Sequence, residues 1–204
     1  MKKSSIIGII VVVLLLIFGV AGCNSYNGMV NLDEGVNQTW ANVENQYQRR
    51  ADLIPNLVNT VKGYAEHEST TLESVTNARA GLTNAYNDAK SVTAEEAQAS
   101  PEGFDKYQSA QNRLKGALDI YVNAVREAYP DLKANQNFLD LQTQLEGTEN
   151  RIATERTRYN EAVKSYNVKI RRFPANIFAG MFGFSARQMF KAEEGAQKAP
   201  KVEF

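Results

Sequence analysis

Cysteine and histidine are almost absent from this sequence of 204 residues, which contains one of each. A single cysteine excludes a framework of internal disulfides, and a single histidine excludes zinc sites and catalytic arrays that need two imidazoles. Positive charge is not in excess either, because Lys plus Arg and Asp plus Glu both number 23. The sequence therefore lacks the cationic surface that binds the phosphates of nucleic acids. We predict no catalytic residue, no metal ligand, no cofactor and no enzymatic activity.

The longest apolar run lies near the N terminus, at residues 6–22. Lys2 and Lys3 precede it, and no formal charge follows until Asp33, so the segment can enter a bilayer without burying an ion. The positive-inside rule places the two lysines in the cytoplasm and the remaining chain outside it. The sequence therefore predicts a protein tethered to a bacterial cell membrane, with its main part in the periplasm or on the cell exterior.

Two modes of attachment stay open, because residues 20–23, Val-Ala-Gly-Cys, resemble a bacterial lipobox. In a lipobox the cysteine sulfur is lipidated and the preceding peptide is removed, which makes Cys23 the lipidation candidate. The apolar run is longer than the roughly 7 to 15 residues of a cleaved signal sequence. Its length favours an anchor that is retained as a single transmembrane helix.

Apolar residues recur every seven positions through most of the remaining chain, as in helices that pack like coiled coils. The pattern predicts an all-α fold, an up-down bundle of long antiparallel helices with coiled-coil-like packing behind the N-terminal membrane segment. Residues 91–103 and Pro130 are the predicted turns. The rows are Trp40, Tyr47, Ile54, Val61, Val75 and Leu82 in one helix kinked before Pro55; Phe104, Leu118 and Val125 with Tyr107, Leu114 and Tyr121 in the next; and Phe138, Leu145, Ile152, Tyr159, Tyr166 and Phe173 in the last.

The predicted organisation has three parts. Residues 1–23 form the membrane anchor or lipoprotein signal, residues 24–184 form the helical bundle, and residues 185–204 form a polar C-terminal tail.

Five ion-forming residues fall on or beside the apolar rows and are predicted to point toward the bundle interior. An unpaired buried charge costs several kcal/mol, so opposite charges should meet there. Structural pairs that set the helix register are the favoured interpretation. A binding site for a polar ligand, or a register that drifts until these residues reach water, stays open. The five are Arg50, Glu68, Arg79, Glu149 and Arg156.

The C-terminal part is unusually apolar at residues 177–184, which include three phenylalanines, a methionine and three small residues. The end of a helical bundle does not usually leave so much apolar area bare. Three interpretations stay open: folding back on the bundle, contact with a membrane surface, and docking to a protein partner. The candidates for partner or membrane contact are Ile177, Phe178, Met181, Phe182 and Phe184.

Several blocks, in order along the chain, resemble the LemA family of bacterial membrane-associated helical proteins. They include residues 49–58, Arg-Arg-Ala-Asp-Leu-Ile-Pro-Asn-Leu-Val, residues 129–135, Tyr-Pro-Asp-Leu-Lys-Ala-Asn, and the Tyr-Asn pairs at residues 159–160 and 166–167. The resemblance extends over residues 26–184 and implies long helices behind an N-terminal membrane segment. It supplies no catalytic residues, and a lipidated Cys23 would depart from the uncleaved anchor that is usual in the family.

These patterns together predict a membrane-tethered extracytoplasmic scaffold, adaptor or sensor component that acts by protein-protein contact. The alternative is a membrane-surface protein that organises or remodels the envelope through its C-terminal apolar segment. The predicted partners are the membrane and a protein of unknown identity, but not nucleic acid. Association of several copies of the chain stays open.

Overall fold

The computed structural model describes residues 3–67 and 73–192, with side chains at residues 7–66 and 73–192. All regular secondary structure in these ranges is helical, which confirms the predicted all-α class. The α-helices are α1 (Lys3–His67), α2 (Glu73–Ser91), α3 (Ala94–Ala99), α4 (Pro101–Ala128), α5 (Gln136–Arg171) and α6 (Ala175–Phe182). A single 3₁₀ turn, Leu132–Ala134, lies between α4 and α5.

The chain forms two compact units, each of which contains parts of α1 and α5. The anchor unit comprises Met1–Ala41 and Thr157–Met189, and the bundle unit comprises Asn42–Arg156 and Phe190–Phe204. In the anchor unit α1 and α5 are antiparallel, because Gly28 lies beside Lys169 and Trp40 packs on Tyr159.

The four long helices of the bundle unit alternate in direction. α4 runs parallel to α1, because Tyr47 packs on Tyr107 and Tyr64 packs on Tyr129. α2 runs antiparallel to both, since its first turns lie beside the C-terminal turns of α1 and α4, whereas its last turns lie beside residues 44–51 of α1 and residues 107–114 of α4. α5 is antiparallel to α1 and α4 as well. The bundle unit is therefore an up-down four-helix bundle, the arrangement in which short connections join neighbouring antiparallel helices.

The seven-residue repeat identifies much of the buried core of each unit. In the bundle unit, leucine, valine and tyrosine side chains from all four long helices meet and exclude water, which supplies the main stabilisation of such a bundle. Apart from Phe173, every member of the predicted rows is buried: Trp40, Tyr47, Ile54, Val61, Val75, Leu82, Phe104, Tyr107, Leu114, Leu118, Tyr121, Val125, Phe138, Leu145, Ile152, Tyr159 and Tyr166.

The prediction of one helix from Trp40 to Leu82 is wrong. α1 continues through Pro55 but ends at His67, and α2 begins at Glu73. A seven-residue repeat marks the positions that face a core, but it does not show whether those positions lie on one helix or on two. Val75 and Leu82 therefore belong to the predicted row although they lie on a second, antiparallel helix.

The predicted turn at residues 91–103 contains a short helix, α3, because capping signals lie within it. The Thr93 hydroxyl accepts the N–H of Glu96 at 3.2 Å, and the Glu96 carboxylate accepts the N–H of Thr93 at 3.3 Å. This reciprocal pair satisfies two backbone donors at the start of α3. Ser100 then caps α4 by accepting the N–H of Gly103 at 3.0 Å, and Pro101 occupies the first position of α4, where proline costs no hydrogen bond.

Phe173 is the one member of the predicted rows that is not buried. α5 ends at Arg171, and the Phe173 side chain is 82% exposed. The following residue, Pro174, disfavours helical backbone at the residue before it and has no N–H to donate. The sequence period continues at Phe173, but the helix that would carry it into the core has ended.

Candidate functional site

An interior polar network joins α1, α4 and α5 in the bundle unit. Arg50, only 1% exposed, donates from Nη1 to Glu149 Oε1 at 2.8 Å. Its Nη2 donates to the side-chain oxygen of Gln111 at 2.6 Å and to the backbone oxygen of Gln111 at 3.2 Å. Charge-assisted bonds of this kind offset the desolvation of a buried guanidinium. One α1 side chain is thus held by α4 and α5 together.

Arg156 extends the same network from α5. Its Nε donates to the Tyr47 hydroxyl at 2.7 Å and its Nη2 donates to Asn112 Oδ1 at 2.9 Å. The guanidinium carbon also lies 5.5 Å from the centre of the Tyr47 ring and 5.0 Å from that of Phe190. The Arg50 guanidinium stacks near the same Tyr47 ring at 5.2 Å. Cation–π contacts of this geometry add to the hydrogen bonds when water is excluded.

The other two predicted interior residues do not join this network. Arg79 is exposed, so its predicted interior position is wrong. The neighbouring residue, Ala78, is half-buried and packs against the core instead. Arg79 lines a surface groove together with Tyr121, where its charged group can remain in water. A guanidinium moved inward there would lack the partners that Arg50 has. Glu68 lies outside the described residues.

The network has few open positions for chemistry. The two guanidinium groups bond to neighbouring helices, and Glu149 keeps 22% side-chain exposure. Among the residues that the structure describes, no group of three or more His, Cys, Asp or Glu side chains is placed to hold a metal ion. The arrangement suits a structural role, because a shift of α1 by one helical turn relative to α4 and α5 would separate Arg50 from its partners.

The C-terminal apolar segment folds back within the anchor unit. Phe178 of α6 is buried, and its ring centre lies 4.9 Å from that of Phe18. A ring carbon of Phe178 also lies 3.0 Å from the point where Gly22 would carry a Cβ. Gly22 therefore gives α6 room to approach α1, and Phe178 is an internal contact, not a surface for a partner.

The remaining predicted contact residues of this segment are only partly covered. Phe182 and Phe184 pack on Tyr26 with ring centres 5.0 and 5.7 Å apart, and Phe182 still leaves about half of its surface exposed. Ile177 is exposed, and Met181 is 65% exposed. The segment thus has one face on α1 and another face of bare apolar side chains.

The chain after α6 is tied to the helices by two side-chain amides, which the sequence interpretation missed. In the anchor unit, Asn167 donates to the backbone oxygen of Arg187 and accepts its N–H, both at 2.9 Å. Arg187 also forms a two-pronged ion pair with Asp33, with both bonds at 3.1 Å. In the bundle unit, Gln108 bonds in the same way to Lys191, at 2.8 and 3.2 Å.

A buried phenylalanine accompanies the second amide. Phe190 packs on Phe104 with ring centres 5.0 Å apart. Residues 185–192 of the predicted polar tail are therefore ordered along the helices, whereas residues 193–204 lie outside the described range. An isolated asparagine or glutamine at a helical position gives no sequence signal for backbone recognition, because its partner is distant in the chain. The predicted domain boundaries themselves stay predictions.

Comparison with known proteins gives the family. A family model described as the LemA family matches residues 39–204. This chain belongs to the LemA family. The resemblance seen in the sequence blocks is confirmed, and the match includes every residue of the interior network described above.

Curated relatives of this LemA-family protein include magnetosome proteins. Magnetosome protein MamQ 2 of Paramagnetospirillum magneticum is 28% identical over 186 residues, which cover 87% of this chain and 68% of the relative. Magnetosome protein MamQ of Magnetospirillum gryphiswaldense is 27% identical over 174 residues, or 81% of this chain and 64% of the relative. Protein LemA of Metamycoplasma hominis is 29% identical over 147 residues, or 72% of this chain and 59% of the relative.

This LemA-family protein is a membrane-associated helical protein. Within the described residues, one helix is long and apolar enough to cross a membrane, and its apolar window lies near the N terminus. Only 6% of that window is buried inside the structure, whereas a core helix of a soluble protein would be mostly buried. Cys23 lies on α1 near the end of the apolar segment and is exposed. Whether Cys23 is lipidated stays a prediction.

An open groove follows the exposed side of α4 in this LemA-family protein. The groove has a volume of about 650 Å³, and polar and charged side chains of both signs line it, among them Asp105, Asn112, Arg113, Lys115 and Asp119. Gly116 also lines it, and nothing lies within 4 Å of the point where Gly116 would carry a Cβ. One turn further along α4, Ile120 is 64% exposed.

Several buried tyrosines have a raised pKa, which makes the stability of the fold depend on pH in the alkaline range. Burial raises the pKa of Tyr121 and of Tyr159 to about 12, although the nearby cations Arg79 and Arg187 act in the opposite direction. Burial also raises the pKa of Tyr107. In the unfolded chain these hydroxyls return to an ordinary pKa of 10.0. The unfolded state therefore loses protons first as the pH rises.

Because these tyrosines have a higher pKa in the folded state than in the unfolded state, we expect the free energy of unfolding to fall at alkaline pH. The tyrosine contribution is fully present below pH 10 and is lost as the pH rises from 10 toward the folded pKa of about 12, by at most about 1.4 kcal/mol per pH unit for each group. The measurement is denaturant unfolding at a series of alkaline pH values, with tyrosinate absorbance to follow ionisation. Tyr159→Phe should flatten the pH dependence. Equal pH dependence in the variant would contradict the assignment.

Proposed function

We propose that this LemA-family protein is a membrane-tethered extracytoplasmic scaffold that works by contact with a protein partner and not by catalysis. The observation that carries the proposal is the exposed side of α4, where Ile120 stands bare next to a groove of mixed charge. An apolar anchor beside polar groups resembles the core and rim of a protein interface. Gly116 on the same face lets a partner approach the backbone closely.

The mode of attachment belongs to the same proposal. The apolar segment is retained as a single membrane-spanning helix, with Lys2 and Lys3 in the cytoplasm and the helices after it outside. Two observations support this: the charges are distributed as the positive-inside rule requires, and α1 is helical without interruption through Cys23. The interior network suits a scaffold, because its bonds hold three helices in a set register.

The experiment is site-directed photo-crosslinking in intact cells that normally carry the protein. A photoreactive residue is placed at Ile120 and, as a matched control, at Thr154, which is exposed on α5. We expect a discrete protein adduct from Ile120 and none from Thr154. With the photoreactive residue placed at Asn123 instead, we expect the same adduct, and its yield should fall at least tenfold when Ile120→Glu is introduced. Equal adducts from Ile120 and Thr154, or an adduct insensitive to Ile120→Glu, would refute the scaffold surface.

A second candidate function is an envelope-organising role through lipid contact. It is supported by α6, where Ile177 and Met181 leave apolar surface exposed beside the anchor helix. The two functions are compatible, since they use α4 and α6 respectively.

A further inference from the structure

We propose that α6 and Phe173 lie in the extracytoplasmic interfacial layer of the bilayer, where they contact lipid acyl chains directly beside the anchor helix. The inference rests on the retained anchor of the proposed function and deepens its second candidate. It assigns the exposed apolar face to lipid instead of a protein partner. The protein would then be held at the membrane by one spanning helix and one interfacial helix.

The contacts of Phe178 set the depth of α6. Its ring packs against Phe18 and Gly22, which lie in the last turn or so of the apolar run at residues 6–22. At 1.5 Å of rise per residue, Phe18 lies roughly 6 Å deeper along α1 than Gly22. If residues 6–22 span the hydrocarbon core, a helix that touches Phe18 lies at the level of the acyl chains near the headgroups.

The composition of α6 suits this level. No charged residue occurs between Arg172 and Arg187. The face of α6 that contains Ala175, Phe178 and Ala179 is buried, and Asn176 is the one polar residue of the helix, exposed beside Ile177. A helix with so little polar surface is typical of a buried or membrane-embedded position, not of a helix in water.

The bare side chains form a stripe. Phe173, Ile177 and Met181 are spaced four residues apart, and all three are exposed. Ile177 and Met181 lie along one side of α6, whereas Phe173 precedes α6 and adds to the exposed apolar surface near its start. Apolar area of this kind is stabilised by roughly 25 cal/mol for each Å² that is removed from water.

The exposed stripe of α6 is continuous with the exposed apolar surface of the anchor helix, and this continuity favours lipid as the molecule that covers it. Ile17 and Phe18 of the anchor helix are themselves exposed, so the bare stripe of α6 adjoins the surface that the bilayer must cover. A protein docked on α6 would have to displace lipid from the same region.

The borders of the segment match a membrane interface. Tyr26, which packs on Phe182 and Phe184, follows the apolar run by one turn, the level at which aromatic rings gather at headgroups. At the other end, Arg171 and Arg172 are exposed, where their charges can meet lipid phosphates. Cationic side chains therefore precede α6, and aromatic side chains lie at its C-terminal end. Interfacial helices combine basic and aromatic residues in the same way.

The test uses the full chain in vesicles of phosphatidylcholine and phosphatidylglycerol. In a Cys23→Ser background, a fluorescent probe is attached at Met181→Cys and, in a matched variant, at Gln38→Cys. Gln38 is exposed on α1 and lies roughly 24 Å beyond Gly22 along that helix. Lipids with a nitroxide on the acyl chain and aqueous iodide serve as the two quenchers.

We expect acyl-chain quenching at Met181 to exceed that at Gln38 at least fivefold, with iodide quenching reversed. In a further variant with the probe at Ile177, Met181→Asp should reduce the acyl-chain quenching at least threefold. Met181 is largely exposed, so this change removes little internal packing. Acyl-chain quenching at Met181 no greater than at Gln38 would overturn the inference.

Two outcomes separate this inference from the proposed function. Protection of Met181 from both quenchers would mean that protein covers α6, which overturns the lipid assignment but leaves the crosslinks from Ile120 unaffected. An intact mass of cell-derived protein that lacks residues 1–22 would show cleavage before Cys23. That mass would refute the retained anchor of the proposed function and, with it, the contact between Phe178 and Phe18.

Discussion

Arg50→Ala is expected to destabilise the folded protein by about 3 kcal/mol, the low end of the range for breaking a buried ion pair. The change leaves Glu149 and Gln111 without the donors that satisfy them, and a cavity replaces the guanidinium. The effect is at the low end because Glu149 keeps 22% exposure and can take up water. The measurement is urea or thermal unfolding of the full chain in detergent, followed by circular dichroism.

The neighbouring arginine provides the matched control. Arg49 is exposed on α1, so Arg49→Ala should change the free energy of unfolding by less than about 0.5 kcal/mol. The double variant Arg50→Leu with Glu149→Leu should recover part of the loss, because it leaves no charge unpaired in the interior. If Arg50→Ala and Arg49→Ala had equal effects, the interior network would not stabilise the bundle.

Ile152→Asp should cost more than about 4 kcal/mol, which approaches the whole stability of many domains. Ile152 is buried at 3% exposure on α5, and an aspartate there must either bury an ion or take up a proton at neutral pH. We expect the cooperative melt to be lost or shifted strongly downward. Thermal unfolding by circular dichroism in detergent measures this.

The adjacent position tests the register of α5. Arg151 is exposed, so Arg151→Asp introduces the same side chain one residue away and should be nearly neutral. Similar melting of the two variants would mean that α5 does not present Ile152 to the core.

The repeat of α5 illustrates how far local periodicity reaches. Five of its six predicted members, from Phe138 to Tyr166, are buried as expected. The sixth, Phe173, is exposed because Pro174 follows it. A repeat identifies the inward face of a helix but not the residue at which the helix ends. Proline in the next position was the available signal.

The charged residues illustrate a second limit. Arg50, Glu149 and Arg156 meet in one network, while Arg79, predicted in the same way, is exposed. All four lie near apolar rows, so periodicity cannot separate them. The difference is the presence of a partner: a guanidinium is retained inside only where acceptors from other helices satisfy it.

The sequence by itself determined the helical class, the apolar anchor, the inward faces of the long helices and the family. These follow from composition and from repeats that depend on neighbouring residues in the chain. Only the tertiary structure decided that Phe178 packs on Phe18, that Asn167 and Gln108 hold the chain after α6, and that α2 is a separate helix. Such contacts join residues far apart in sequence, and their energies depend on the distance and direction between groups, which no local pattern encodes.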